Sequence, residues 1–135
     1  MIRVCVDVSD VEKAVAFYRD GLGLKPGRRY RNQWAEMLGA EAPIDLLAEK
    51  TGSSPSPKST ATRSFERHWT HVHLDFVVPN LDEALQKAIN AGATVDREPQ
   101  QRPYGRIAVL ADPFGNGFCL LEMQGRGYDE MLTPQ

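Results

Sequence analysis

The sequence of 135 residues contains little cysteine, few aromatic residues and almost no net charge, and each shortage excludes a class of protein. Two cysteines are too few for the disulfide framework of a small secreted domain, and a reducing compartment suits both as free thiols. A formal net charge of −2 lacks the basic surplus of a nucleic-acid-binding protein. We therefore expect no nucleic-acid partner.

Long hydrophobic runs are also missing. No apolar stretch is long enough to span a bilayer, and charged residues from Arg3 to Lys13 interrupt any signal-like segment near the start. The sequence therefore predicts a soluble cytoplasmic protein with no membrane partner. Its length is sufficient for one domain with a real core and too short for two ordinary domains.

The most informative feature that is present is a repeat. Residues 3–14 align with residues 73–84, which lie 70 positions later. Each copy alternates apolar and polar residues for six positions and then changes to a helical period, which predicts a strand running into a helix. A duplicated half-domain usually builds two equivalent halves whose corresponding positions face a common cavity.

Both copies continue with the same predicted order of elements, β-α-β-β-β. The first helix is expected over Val11–Asp20, with Ser9 and Glu12 as a capping box, and the second over Leu81–Ala91, capped by Asn80. The remaining strands are expected over residues 25–30, 33–38, 44–49, 94–98, 106–111 and 118–123.

Strand alternation sorts the side chains of each copy onto two faces, one toward the helices and one inward. Charged residues on an inward face are costly unless they pair or meet a ligand, so this face is the candidate site. The residues predicted on the inward faces are Arg3, Cys5, Asp7, Asp45, Glu49, His71, His73, Asp75 and Cys119.

The chain divides into two modules, residues 1–50 and 68–124, within a single domain over residues 1–135. Residues 51–67 are rich in Ser, Thr and Pro and form a linker, and residues 125–135 form a C-terminal tail. A linker of this length could also cover a cavity mouth, although a passive connection is the favoured interpretation.

Three motifs, at residues 10–23, 73–84 and 112–122, resemble the vicinal-oxygen-chelate superfamily of glyoxalase I, extradiol dioxygenases and bleomycin- and fosfomycin-resistance proteins. With their spacing they cover almost the whole chain. The resemblance implies an α+β, glyoxalase-like fold in which two βαβββ modules form half-open barrel cups, with helices on the convex face. It also implies a homodimer, whose modules pair within one chain or are exchanged between two.

Metal-dependent members of this superfamily carry His and Glu ligands on the first and last strand of each module. Arg3, Asp45, His73 and Cys119 stand at those four positions here. Only His73 is a ligand of the family type, and the guanidinium of Arg3 has no lone pair to donate and would repel a cation. We therefore expect no metal cofactor. The alternative is divalent Zn, Ni, Mn or Fe held by His73 and Asp45.

Two classes of function stay open. The favoured one is a protein that binds a small oxygenated metabolite or drug in the concave cavity without a metal, as bleomycin-resistance proteins do. The modest aromatic content of 8% gives this class little positive support. The alternative is a metal-dependent lyase of the glyoxalase I (lactoylglutathione lyase) type, or a dioxygenase.

If the protein is an enzyme, His73 and Asp45 are the expected catalytic residues. Arg3 is expected to make a charge-assisted contact with Asp45 or with an anionic ligand. Cys119 could act as a nucleophile if His73 lowered its pKa, but a buried structural thiol is favoured. The expected binding residues are Arg3, Cys5, Asp7, His71, Asp75 and Cys119.

Overall fold

Strands and helices follow one another in the same order twice along the chain. The structure is a computed structural model that describes residues 1–132; residues 133–135, the end of the predicted tail, lie outside the described residues. The first module contains β1 (Val4–Val8), α1 (Val11–Asp20), β2 (Lys25–Tyr30), β3 (Trp34–Leu38) and β4 (Ile44–Ala48). The second contains β5 (Leu74–Val77), α2 (Leu81–Ala91), β6 (Thr94–Arg102), β7 (Gly105–Ala111) and β8 (Gly117–Met123), followed by a 3₁₀ turn over Gly127–Met131.

Each module forms its own four-stranded sheet, in the strand order β1-β4-β3-β2 and β5-β8-β7-β6. The first strand of each sheet pairs in parallel with the last, which sets Cys5 beside Asp45 and Asp75 beside Cys119. The other pairs are antiparallel. The predicted α+β fold of two βαβββ modules is confirmed.

Helix α1 has the predicted bounds but a different cap. The Asp10 carboxylate accepts a hydrogen bond from the Lys13 N–H at 3.0 Å, so Asp10 is the N-cap. The predicted capping box of Ser9 and Glu12 is therefore wrong by one position. Aspartate is as good an N-cap as serine, and here the Asp10 carboxylate is the group that reaches the N–H of Lys13, the third helical residue.

Helix α2 has the predicted bounds and the predicted cap. The Asn80 side chain accepts a hydrogen bond from the Glu83 N–H at 3.1 Å, and the helix ends at Gly92 with φ of 119°. Glycine takes this left-handed conformation without a steric penalty. Within residues 1–132, no helix is long and apolar enough to cross a membrane.

The first strand of the second module is shorter than the sequence predicts. Its ladder with β8 starts at the pair Leu74–Phe118, so His71 and His73 precede the strand instead of sharing its inward face. His71 packs against Trp69, with ring centroids 4.3 Å apart. The alternation of residues 71–77 is real, but strand structure needs a paired neighbour, and the ladder begins only at Leu74.

The edges of the two sheets differ in character. The outer edge strands β2 and β6 are mostly exposed and carry register shifts, one between Pro26 and Arg29 in β2 and two between Val95 and Gln100 in β6. The inner edge strands β1 and β5 are the first strands of their modules and pair on one side only. The seam between the modules runs along these two strands.

One continuous apolar core includes buried residues of both modules. Phe118 of β8 lies at its centre, edge-on to Phe17 of α1 at 6.2 Å and to Phe76 of β5 at 5.8 Å. Each fully buried side chain of this size contributes about 1.5–3 kcal/mol relative to an exposed one. Helix α1 is therefore buried against the second module as well as its own sheet.

A buried hydrogen-bonded node ties the modules together. Asp112, which is 3% exposed, accepts hydrogen bonds from the Tyr18 hydroxyl at 2.8 Å and from the N–H groups of Phe114 and Asn116 at 2.8 and 3.0 Å. The Asn116 side-chain amide donates to Asp112 at 2.9 Å and to the Asp7 carbonyl at 3.0 Å. Burial and the Asp112 carboxylate raise the pKa of Tyr18 well above its usual value, so the phenol is a neutral donor.

Replacing Tyr18 with Phe would keep the ring in the core and remove one donor from the buried Asp112 carboxylate. We expect Tyr18→Phe to lower the free energy of unfolding by about 1–3 kcal/mol, measured by urea denaturation. The matched control is Tyr30→Phe on the exposed strand β2, which should change stability by less than about 0.5 kcal/mol. Wild-type stability in Tyr18→Phe would contradict a stabilising role for the node.

Candidate functional site

A cavity of about 610 Å³ opens along the seam between β1 and β5. Its walls come from both modules and from the segment that joins them. Most of the lining is apolar, and the side chains that define it include those of Tyr18, Phe65, Trp69, Leu74, Phe76 and Phe118. A volume of this size is in the range of sites for small organic ligands.

The cavity contains some of the predicted site residues and omits others. Cys5, Asp7 and His73 line it, together with the polar residues Arg63 and Asn116. The cavity follows the seam between the inner strands, whereas the other five of the expected catalytic and binding residues lie outside its lining, on strands or just before β1 and β5. Those five are Arg3, Asp45, His71, Asp75 and Cys119.

The linker forms one wall of this cavity. It therefore does more than connect the two modules, which was the favoured interpretation of the sequence. Arg63 is largely buried and its Nε donates to the Asp7 carboxylate at 2.8 Å. A second guanidinium nitrogen of Arg63 lies 3.7 Å from the Glu49 carboxylate. At the far end of the linker, Arg67 donates to Asp96 of β6 at 2.6 Å. Two arginines therefore attach the linker to both modules.

The linker also touches the turn before β8, backbone against backbone. Gly115 has φ of +80°, and a methyl group added there would overlap the Glu66 carbonyl. Beside this contact the Phe65 ring packs edge-on to Phe114, with centroids 6.5 Å apart. Sequence reasoning missed Arg63, Phe65 and the rest of this wall because an irregular segment has no periodicity that assigns its side chains to a face.

The inward face of the first module is occupied by a charge network. Arg3 donates from two nitrogens to Asp45 at 2.8 and 2.6 Å, and to Glu36 at 2.9 Å. Arg28 donates to Glu36 from its side chain at 2.8 and 3.0 Å and from its backbone at 3.0 Å. The Trp34 indole donates to Asp45 at 2.9 Å. The predicted contact of Arg3 with Asp45 is confirmed.

Two buried carboxylates and two arginines therefore balance one another in this network. Hydrogen bonds from Arg28 and then Arg3 hold the pKa of Glu36 well below its usual value, and the pair with Arg3 lowers the pKa of Asp45. Glu36 and Asp45 are only 4% and 5% exposed, and both stay charged because the arginine hydrogen bonds outweigh the cost of burial. Such a pair is stable only with its cations in place.

The corresponding face of the second module carries a smaller group. His73 Nε2 lies 3.1 Å from the Asp75 carboxylate, and the ligand-type atoms of His73, Asp75 and Cys119 lie within 4.8 Å of one another. Burial and then the Asp75 carboxylate raise the pKa of Cys119 to about 11. A buried thiol with a raised pKa carries little thiolate at neutral pH, which favours a structural role for Cys119 over a nucleophilic one.

The four family metal positions do not fit a metal. Arg3 binds both carboxylate oxygens of Asp45, so these oxygens already have a cation. Among residues 1–132, three ligand-type side chains converge only at His73, Asp75 and Cys119, within one module. A metal shared between the two modules would need Arg3 to leave Asp45.

A sequence model for the glyoxalase-like domain matches residues 3–121. The chain belongs to the glyoxalase-like family. The resemblance to the vicinal-oxygen-chelate superfamily is confirmed by this match together with the topology of the two modules.

Among curated proteins, this glyoxalase-like chain is similar to the anthracycline biosynthesis protein DauV of Streptomyces sp. (strain C5). The two are 30% identical over 115 residues, which is 85% of this chain and 38% of DauV. The chain therefore spans less than two-fifths of the length of that curated relative.

Two solved structures share the fold. The fosfomycin resistance protein FosX of Listeria monocytogenes has a TM-score of 0.71 at 18% identity, covering 98% of this chain and 97% of FosX. The antibiotic binding protein TnmS3 of Streptomyces sp. CB03234 has a TM-score of 0.64 at 24% identity, covering 90% of this chain and 93% of TnmS3. At these identities the likeness shows the fold alone.

The two free thiols of this glyoxalase-like protein differ in access, since Cys5 is exposed and Cys119 is buried. We expect iodoacetamide at pH 8 to alkylate Cys5 in the folded protein and Cys119 only after unfolding, as read by peptide mass spectrometry. A thiol of pKa about 11 carries about a hundredfold less thiolate at that pH than an ordinary thiol. The variant Cys5→Ser should take up almost no label when folded, and fast alkylation of native Cys119 would contradict the assignment.

The close contact between Gly115 and the linker backbone can be tested by adding a methyl group at Gly115. Gly115→Ala should displace residues 61–67, lower stability by about 1–3 kcal/mol and speed tryptic cleavage within the linker. Gly23→Ala is the matched control, because Gly23 also has a left-handed φ of +71° but nothing lies within 4 Å of the added methyl group. If both variants were cleaved at the same rate, the linker would not depend on this contact.

Proposed function

We propose that this glyoxalase-like protein binds a small, oxygenated and largely apolar molecule, a drug or a metabolite, in the cavity between β1 and β5, without a metal cofactor. The observation that carries the proposal is the cavity itself, about 610 Å³ with an apolar lining and a few polar groups. This combination is typical of small-molecule binding sites.

The distribution of aromatic residues supports a ligand with a planar ring system. The chain has only eleven Phe, Tyr and Trp residues, yet five of them line this one cavity. Aromatic rings contribute large contact areas and favour stacked or edge-on arrangements with other rings. The aromatic content of the chain is low, but nearly half of its aromatic rings line the cavity. The low content is therefore no argument against a binding protein.

Polar groups at the cavity supply partners for ligand oxygens. Arg63 offers guanidinium N–H donors. The two amide hydrogens of Asn116 are already donated to Asp112 and Asp7, so its part toward a ligand is that of its carbonyl oxygen, an acceptor for a ligand hydroxyl. His73 can donate or accept according to its tautomer. A few such groups set in an apolar wall orient a ligand by hydrogen bonds, while the rings provide most of the contact area.

The similar proteins support the same class of ligand. DauV carries the description of an anthracycline biosynthesis protein, and TnmS3 that of an antibiotic binding protein. Anthracyclines are polycyclic, aromatic and rich in oxygen, which is compatible with an apolar, ring-lined cavity that carries a few polar groups. Since this chain spans 38% of DauV, we propose only the ligand class, and not the activity of the whole relative.

Binding is proposed ahead of catalysis because the two expected catalytic residues lie in different environments. His73 lines the cavity, whereas Asp45 is held by Arg3 and Trp34 away from it. A carboxylate that accepts three hydrogen bonds is a weak general base, since each bond stabilises the charged form.

The homodimer and the cytoplasmic location stay predictions. Trp69, at the cavity, is 75% exposed, which leaves a side that a second copy could cover.

The two tryptophans allow a sharp test, because Trp69 lines the cavity and Trp34 does not. In the variant Trp34→Phe, titration with an anthracycline should quench Trp69 emission saturably with 1:1 stoichiometry and a Kd of about 1 μM or below. In Trp69→Phe the same titration should give only the linear loss caused by ligand absorbance. Linear loss in both variants would contradict binding at this cavity.

Two further measurements complete the test. Trp69→Ala should weaken binding about fivefold or more through the lost ring contact, whereas Tyr128→Ala, an exposed ring outside the cavity, should bind like wild type. Incubation with methylglyoxal and glutathione addresses the alternative function. Turnover that depends on an added divalent metal would replace the binding proposal with a metal-dependent lyase.

A further inference from the structure

We infer that the Arg3 side chain fills a cation-binding position formed by Glu36 and Asp45, and that it thereby excludes divalent metal ions from the first module. The inference does not depend on the ligand of the cavity, because Arg3, Glu36 and Asp45 all lie outside its lining. The site is formed by the carboxylate oxygens of Glu36 and Asp45, called the oxygen cage below, and the Arg3 guanidinium occupies it.

Strand register creates this cage. Glu36 of β3 and Asp45 of β4 are direct cross-strand partners, so both carboxylates project from the same face of the sheet. Like charges directly opposite one another on a sheet are destabilising. Both side chains are nevertheless buried, and neither carboxylate lacks hydrogen-bond donors. A positive charge between them is therefore a structural requirement.

The guanidinium of Arg3 supplies that charge, and one of its nitrogens contacts both carboxylates. Its Nη2 nitrogen lies 2.6 Å from Asp45 Oδ1 and 2.9 Å from Glu36 Oε2, so two carboxylate oxygens from neighbouring strands converge on one point. Hard divalent cations select oxygen ligands that converge in this way, at somewhat shorter distances of about 2.0–2.6 Å. The guanidinium nitrogen stands where such an ion would.

The other contacts of the network close the cage around that point. Arg28 hydrogen-bonds both carboxylate oxygens of Glu36, and the Trp34 indole donates to the same Asp45 oxygen, Oδ1, that Arg3 Nη2 contacts. With Arg3 and Arg28 both present, two positive charges balance two negative ones, and no net charge attracts a cation. If the Arg3 guanidinium is removed, two carboxylates face a single arginine around an open position. Hard ions such as Mn²⁺ or Tb³⁺ would then find oxygen ligands there, unlike the softer group of His73, Asp75 and Cys119.

Terbium luminescence tests this inference, because a Tb³⁺ ion in the cage would lie close to the Trp34 indole and be sensitised by it. We expect Arg3→Ala to bind Tb³⁺ saturably, at least about tenfold more tightly than wild type, because an adjacent positive charge has gone. Arg3→Lys is the matched control, since it keeps the charge and should behave like wild type. Adding Trp34→Phe or Asp45→Asn to Arg3→Ala should abolish the sensitised emission.

Folding of Arg3→Ala is followed by circular dichroism with and without Mn²⁺. We expect Mn²⁺ to raise the thermal midpoint of Arg3→Ala more than that of wild type or Arg3→Lys. The inference is overturned if folded Arg3→Ala binds Tb³⁺ no better than Arg3→Lys, or if Arg3→Ala is unfolded and Mn²⁺ does not restore it. It is also overturned if wild type gives Trp34-sensitised emission that Asp45→Asn removes. The anthracycline titration reports on Trp69, so either result can fail without the other.

Discussion

The buried Asp112 carboxylate is the group on which the arrangement of the two modules depends. Strands β1 and β5 belong to separate sheets, so the modules are joined through the side chains and the apolar core at their seam. Asp112 gathers donors from α1 and from its own turn, and Asn116 extends the node to the backbone of β1. The cavity lies along the same seam, and Tyr18 and Asn116 belong both to the node and to the cavity lining, so the node contributes to the shape of the site.

Local patterns in the sequence predict most of this fold. The repeat and the change of period locate both helices, because apolar spacing and caps are properties of nearby residues. The main error occurs where the extent of an element depends on a residue that is distant in sequence. Strand β5 begins at Leu74 because its ladder with β8 begins there, so the alternation that includes His71 and His73 does not become strand. Asp10 and not Ser9 is the N-cap. Both residue types can cap a helix, and the position at which the helical backbone begins determines which of them does so.

The candidate site is predictable to a smaller extent. The pairing of Arg3 with Asp45 follows from strand parity and from the cost of an unpaired inward charge. The same reasoning could have added Glu36 to the predicted charge network, since Glu36 of β3 lies directly opposite Asp45 of β4 on the same face of the sheet. The cavity wall contributed by Arg63 and Trp69 could not be predicted, because the path of an irregular linker is set by contacts with both modules. Sequence parity assigns faces of sheets, whereas this cavity lies at a seam.

The irregular outer edges of the sheets also affect how the protein behaves at high concentration. An unpaired strand can add a strand from another molecule, which is a common route to aggregation. Pro26 in β2 and Pro99 in β6 each remove a backbone donor, and the register shifts twist both edges. Lysine and arginine side chains add like-charge repulsion along β2. Extension of the sheets by foreign strands is therefore opposed at both outer edges, and the inner edge strands β1 and β5 lie at the seam between the modules, where the linker forms one wall.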